Sequence, residues 1–310
     1  MKKIAFLNKY QDKVNRGAET FVKEVSQRLS KNYQVDIISD INYFNLLKKK
    51  YDLIIPTNGR FQVVVTRLIT WLTGGKTIVS GQSGMGWDDR VNLYSLPNLF
   101  ISLSTEALRW AKKVNPLIKS VYIPNGVDTK KFISEGEKIK IDLKKPIILC
   151  VGALTKTKRI DFVIKAVSKL EDASLLIVGK GEEEYNLRNL GERYLKGRFK
   201  IMNFPYEKMP EVYRIANVFT LVSESYYSFE NVLVEAMATN IPVVANDDPI
   251  RKEIVGDGGL LIDPSSTDVY IEALRKAMKT NWSSKPREQA IRFDWDKIAT
   301  EYGKLISGLI

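Results

Sequence analysis

Short apolar runs alternate with helical patterns along this chain, and the alternation starts over once. Strand-like runs fall at 4–8, 34–38, 52–56, 76–80, 99–104 and 120–123, with helical patterns such as 18–30 and 105–113 between them. At 146–151 the order restarts, and further runs follow at 173–178, 199–203, 218–222, 241–245 and 259–262. Uninterrupted apolar runs separated by helices mark parallel strands joined by βαβ crossovers, with helices covering both faces. Two such series predict an α/β protein of two doubly wound, Rossmann-like sheets, each binding ligands at the C-terminal ends of its strands. A length of 310 residues suits two cores of about 100–200 residues each. The segment 128–145, rich in Lys, Glu and Gly, reads as a linker between a domain at 1–130 and one at 146–293.

Composition then removes whole classes of chemistry. The chain has no histidine, so it holds no Ser-His or Cys-His nucleophile pair and no His-ligated zinc. Carboxylates, lysines, arginines and backbone dipoles remain, and a metal-dependent hydrolase is disfavoured. The single cysteine, Cys150, sits inside an apolar run and reads as a buried strand thiol. The opening MKKIAFLNKY is too short in its apolar part for a signal peptide, and no stretch approaches a membrane span, which predicts a cytoplasmic protein.

Charge is uneven. Residues 1–135 carry 21 Lys and Arg against 11 Asp and Glu, net +10 of the chain's +12. Clusters at Lys48-Lys49-Lys50, Arg60 to Arg67, Arg109 to Lys113 and Lys130-Lys131 describe either a solvated face or a surface for an anionic partner, such as the inner face of a membrane or a phosphorylated acceptor. The apolar stretch 61–72, edged by Arg60, suits a helix packed on the core, with a place in a membrane interface as the alternative.

Three turns at strand ends carry the chemistry. After the run ending at Val222, a loop leads into a helix over 231–238. Its opening residues Asn231 and Val232 aim backbone N–H groups and the positive dipole end at whatever lies above them, which suits a phosphate. One turn further in, the Glu235 carboxylate can accept both hydroxyls of a ribose. The turn Gly152-Ala153-Leu154-Thr155-Lys156-Thr157-Lys158-Arg159 places a glycine and three cations after the first strand of the second series. In the first series, Gly17 precedes a helix at the equivalent place, and the loop SGQSGMGWDDR over 80–90 offers Gln82, Asp88 and Asp89.

The stretch from Ser223 to Pro264 resembles the donor-binding half of the retaining GT-B glycosyltransferases of family 4, also called glycosyltransferase group 1. Glu235-Ala236-Met237-Ala238, Pro242-Val243-Val244 and Glu253-Ile254-Val255 match that pattern, and Arg16-Gly17-Ala18-Glu19 and Pro124-Asn125-Gly126-Val127-Asp128 match it elsewhere. The resemblance implies two Rossmann-like domains facing a central cleft, with a final helix over 294–310 crossing back to the first domain. It implies that Glu235 binds the donor ribose and that Lys158 grips the diphosphate beside Gly152, with Arg159 or Lys156 as the second cation. Gly17 becomes the point where the first domain meets the diphosphate or the acceptor. The family's first glutamate is replaced by Tyr227, with Glu224 three residues upstream, and Gln82 stands at or beside the family's histidine. Asp88 or Asp89 is then the carboxylate available to activate the acceptor hydroxyl.

By this resemblance the chain is a metal-independent, retaining transferase that needs no cofactor. It moves a sugar from a nucleoside-diphosphate sugar to a glycan or lipid-linked acceptor, with front-face attack and the diphosphate accepting the proton. It works in the cytoplasm, as a peripheral protein on the membrane's inner face if the acceptor is lipid-linked, and no nucleic-acid partner is expected. The competing readings are an inactive nucleotide-sugar-binding protein of the same fold, and a GT-B enzyme that glycosylates nucleic acid.

Overall fold

The structure is a computed structural model, described here for residues 1–11, 13, 17–82, 84–224 and 229–310. The first sheet contains β1 (Lys3–Leu7), β2 (Gln34–Ile38), β3 (Leu53–Pro56), β4 (Lys76–Ser80), β5 (Leu99–Ser102) and β6 (Ser120–Tyr122), all parallel, in the order β2-β1-β3-β4-β5-β6. The second contains β7 (Ile147–Val151), β8 (Ser174–Val178), β9 (Phe199–Met202), β10 (Val218–Leu221), β11 (Val243–Asn246) and β12 (Gly259–Ile262), also parallel, in the order β12-β11-β10-β7-β8-β9. Each apolar run read from the sequence is one of these strands. In each sheet the chain first builds outward on one side and then returns to build on the other, so β1/β3 and β7/β10 are the switch points where such folds open a ligand crevice.

The chain forms two compact units, one of residues 1–126, 229 and 293–310, the other of 127–224 and 230–292. The C-terminal helix Trp295–Ser307 belongs to the first core, where the Phe21 ring lies 5.5 Å from Tyr302 and 6.4 Å from Trp295. Gly126 lets that segment approach, since a Cβ there would stand 2.6 Å from the Phe293 carbonyl oxygen and 2.8 Å from the Trp295 ring. The segment whose composition marks a linker packs onto the second unit instead. Phe132 is fully buried between Tyr206 and Tyr213, Arg214 donates to the carbonyls of Ile133 and Glu137, and Arg287 donates to those of Phe132 and Thr129.

Helix Phe61–Thr73 in the first unit packs on the core with one face only. Val63, Thr66, Ile69 and Thr70 face the core, while Phe61, Val64, Leu68, Trp71 and Leu72 are exposed along the opposite side. At 3.6 residues per turn those five fall on one stripe. Phe61 and Trp71 are each 71% exposed, and neighbouring Phe44 is exposed with the Lys48 ammonium over its ring. Among the described residues no helix is long and apolar enough to cross a membrane.

Candidate functional site

The loops after β7, β10 and β11 converge at the switch point of the second sheet. The β7 turn runs from Gly152 through a short 3₁₀ segment, Lys156–Lys158, to Arg159, whose left-handed backbone (φ 49°) turns the chain into helix Ile160–Ser168. Two glycines that sequence reading passes over support this turn. A Cβ on Gly179 would lie 1.9 Å from the Gly152 carbonyl oxygen, and one on Gly181 2.3 Å from that of Leu154, so only glycine lets the loop after β8 pack beneath it. At Gly152 itself a Cβ would make ordinary contact with the Lys158 side chain.

Lys158 reaches across to the β10 loop, where its ammonium donates to both carboxylate oxygens of Glu230, at 2.7 and 2.9 Å. Glu230 is 9% exposed and also accepts from the Ser223 hydroxyl at 2.9 Å and from Arg251 at 3.3 Å. Arg251, 1% exposed, donates to the Ser223 hydroxyl oxygen at 2.6 Å and to Asp248 at 2.9 Å. Burial alone would raise the Glu230 carboxyl, but the Lys158 ammonium and Arg251 guanidinium outweigh it and hold it below the usual range. The buried carboxylate is therefore ionised at neutral pH. Asp248 caps helix Pro249–Val255 through the Ile250 and Arg251 N–H groups, while neighbouring Asp247 is exposed and paired with Lys252.

Helix Asn231–Ala238 starts beside this network, with Asn231 and Val232 in its partly exposed first turn. Glu230 occupies the N-cap but makes no side-chain cap bond, so its carboxylate does not cover the helix end. Glu235 lies 6% exposed one turn in and accepts from the Tyr213 hydroxyl at 2.8 Å. Burial pushes its carboxyl up to about 7, against the opposing pull of Tyr213, Lys131 and Tyr206. Lys158, Glu235, Asn231 and Val232 thus share one strand-end region. Arg159 has its guanidinium 5.9 Å from the Phe162 ring. Tyr227 lies outside the described residues.

The first unit places its expected residues on the corresponding edge of its own sheet. Gly17 begins helix Gly17–Leu29 after β1, and buried Asn8 donates to Gln11 and Glu19 there. Gln82 exchanges two amide hydrogen bonds with Asn125, at 2.9 and 3.1 Å, and donates to Ser80. Asp88 is paired with Arg60. Asp89 is buried against Gly81 and accepts from Asn92, and burial pushes its carboxyl up to about 7. Cys150 is fully buried in β7, and burial pushes its thiol up to about 12.

Solved structures share this architecture over nearly the whole chain. HepE from Anabaena, in complex with UDP and glucose, superposes with a TM-score of 0.80 at 17% identity, over 99% of this chain and 100% of that one. Sucrose-phosphate synthase from Thermosynechococcus elongatus gives 0.80 at 18%, over 100% and 99%. The fold is GT-B, with two Rossmann-like domains. The model of the family described as glycosyl transferases group 1 matches residues 132–293, and the chain belongs to that family.

Curated relatives include the phosphatidyl-myo-inositol mannosyltransferase of Mycolicibacterium smegmatis, 27% identical over 214 residues, covering 65% of this chain and 55% of that protein. Another is the N-acetylgalactosamine-N,N'-diacetylbacillosaminyl-diphospho-undecaprenol 4-alpha-N-acetylgalactosaminyltransferase of Campylobacter jejuni, 28% identical over 177 residues, covering 54% and 48%. The chain spans about half the length of these relatives.

Proposed function

We propose that the protein is a retaining, metal-independent glycosyltransferase that moves a sugar from a nucleoside-diphosphate sugar to a lipid-linked acceptor at an anionic membrane face. The observation that carries the donor half is the meeting of Lys158, the uncapped start of helix Asn231–Ala238 and buried Glu235 at one switch point. Ammonium and helix end suit a diphosphate, and a carboxylate one turn in suits a ribose. Family membership supports the reaction class. In transfer, the bond from the anomeric carbon to the diphosphate oxygen breaks as the acceptor oxygen bonds to the same face of that carbon. The acceptor proton passes to the departing diphosphate. Lys158 and the helix dipole act most strongly there, because the leaving group gains charge in the transition state.

The acceptor half rests on the exposed apolar stripe of helix Phe61–Thr73, close to Phe44 and Lys48 in a unit of strongly positive charge, and on relatives whose names include a phosphatidylinositol and a diphospho-undecaprenol. A thermal-shift screen of nucleotide sugars, followed by sugar release and transfer assays, tests the whole. Glu235→Ala and Lys158→Ala are each expected to weaken donor binding or slow transfer by roughly 1.5–3 kcal/mol, the scale of a hydrogen bond to a charged group. Unaltered kinetics in either variant refutes the site. Donor binding without any sugar release makes the protein an inactive binder.

A further inference from the structure

A lysine is a flexible anchor for a diphosphate. Its ammonium ends a four-carbon stem, and that freedom is lost each time a ligand alone fixes it. In this chain the stem is already fixed. We propose that Glu230 is a positioning residue for the donor diphosphate, its carboxylate holding the Lys158 ammonium at the strand ends of β7 and β10. This rests on the donor-site reading above.

Both oxygens of Glu230 contact the ammonium. The carboxylate is anchored in turn by Ser223 and Arg251, and Arg251 by Asp248, so the support is fixed at each link. Glu230 stands at a helix N-cap, where an acidic side chain ordinarily accepts from N–H groups of the first turn. It makes no such bond, and its carboxylate is turned to the lysine. Side-chain exposure is 9% for Glu230 and 22% for Lys158, which makes the ammonium the outer partner. An ammonium has three donors, so engaging two oxygens leaves one N–H for a ligand. The family's first glutamate falls eight residues before Glu235, where this chain has Tyr227; Glu230 falls five before it. The departure from the motif therefore does not leave the site without a carboxylate.

A double-mutant cycle over E230Q, K158A and the combined variant tests this, reading affinity for UDP and GDP by calorimetry with uridine and guanosine as phosphate-free controls. E230Q is expected to lower affinity for whichever diphosphate binds by roughly tenfold and to leave the nucleoside unchanged, because Glu235 is untouched. In the K158A background it is expected to cost nothing further. E230D, which keeps the charge on a shorter stem, should fall between wild type and E230Q. Equal losses in both backgrounds, equal losses for nucleoside and diphosphate, or tighter diphosphate binding by E230Q each overturn the proposal. A wild type that binds neither diphosphate refutes the donor-site reading itself and the inference with it, whereas wild-type binding that E230Q leaves unchanged refutes the inference alone.

Discussion

Glu235→Gln should make the protein more stable and less able to bind its donor. The Glu235 carboxyl lies at about 7 in the folded protein against an ordinary value of 4.5. Each unit corresponds to about 1.4 kcal/mol, so ionised Glu235 costs the folded state about 3 kcal/mol. Between those two values the folded protein keeps a proton that the unfolded chain has released, so this group's contribution falls as pH rises through the window and is level on either side. Gln copies the protonated carboxyl and keeps an oxygen for the Tyr213 hydroxyl. The variant should therefore gain over wild type progressively as pH rises from 4.5 to 7 and in full above that, by roughly 6–12 °C in melting temperature at about 2–4 °C per kcal/mol. Near pH 5 most of the gain should vanish. Asp89 also lies at about 7 and titrates in the same direction, but it is present in both proteins and cancels in their difference. Melting curves at pH 5 and pH 8.5 measure this. An equal difference at both pH values, or a wild type that outlasts the variant at pH 8.5, refutes the argument. Nucleoside affinity should fall in the same variant, because the neutral amide replaces the ionised acceptor offered to the ribose.

Three further outcomes are expected. Transfer should persist in excess chelator, and a loss restored by added manganese or magnesium would place the leaving-group charge on a metal instead. The protein should sediment with phosphatidylglycerol vesicles at low salt and release as salt rises. Binding should weaken when Phe61 and Trp71 become Ser or when Lys48, Lys49 and Lys50 become Glu, and indifference to vesicles would mark the stripe as having another use. Gly181→Ala should lower the melting temperature by the equivalent of about 1–3 kcal/mol, since its Cβ meets the Leu154 backbone rather than a movable side chain; an unshifted melt would mean that the loop gives way.

The strands were legible because a buried parallel strand leaves an unbroken apolar run, and every run between 4 and 262 became one. The strand-end positions of Lys158 and Glu235 were legible for a related reason, since each sits at a fixed offset from such a run. Glu230 and Arg251 were not. They stand 21 residues apart, one at a helix N-cap and the other inside helix Pro249–Val255, and only the pairing of β10 with β11 brings them together. Asp248 did carry a readable signal, an Asp directly before Pro249, the usual opening of a helix. Helix Phe61–Thr73 is apolar on most sides, so periodicity could not tell which face the core would cover.

The placement of helix Trp295–Ser307 sets the order in which this chain can be assembled. Synthesis makes residues 1–126 before residues 127–292, yet the core around Phe21 lacks Trp295 and Tyr302 until they too leave the ribosome. The second unit, whose residues end at 292, is complete in sequence before the first can close. During that interval the face of Phe21 has no cover, and contacts spanning more than 250 residues are slow to form. Folding of the first unit thus waits for residues 295–307, and loss of that helix should strand residues 1–126 rather than the second unit.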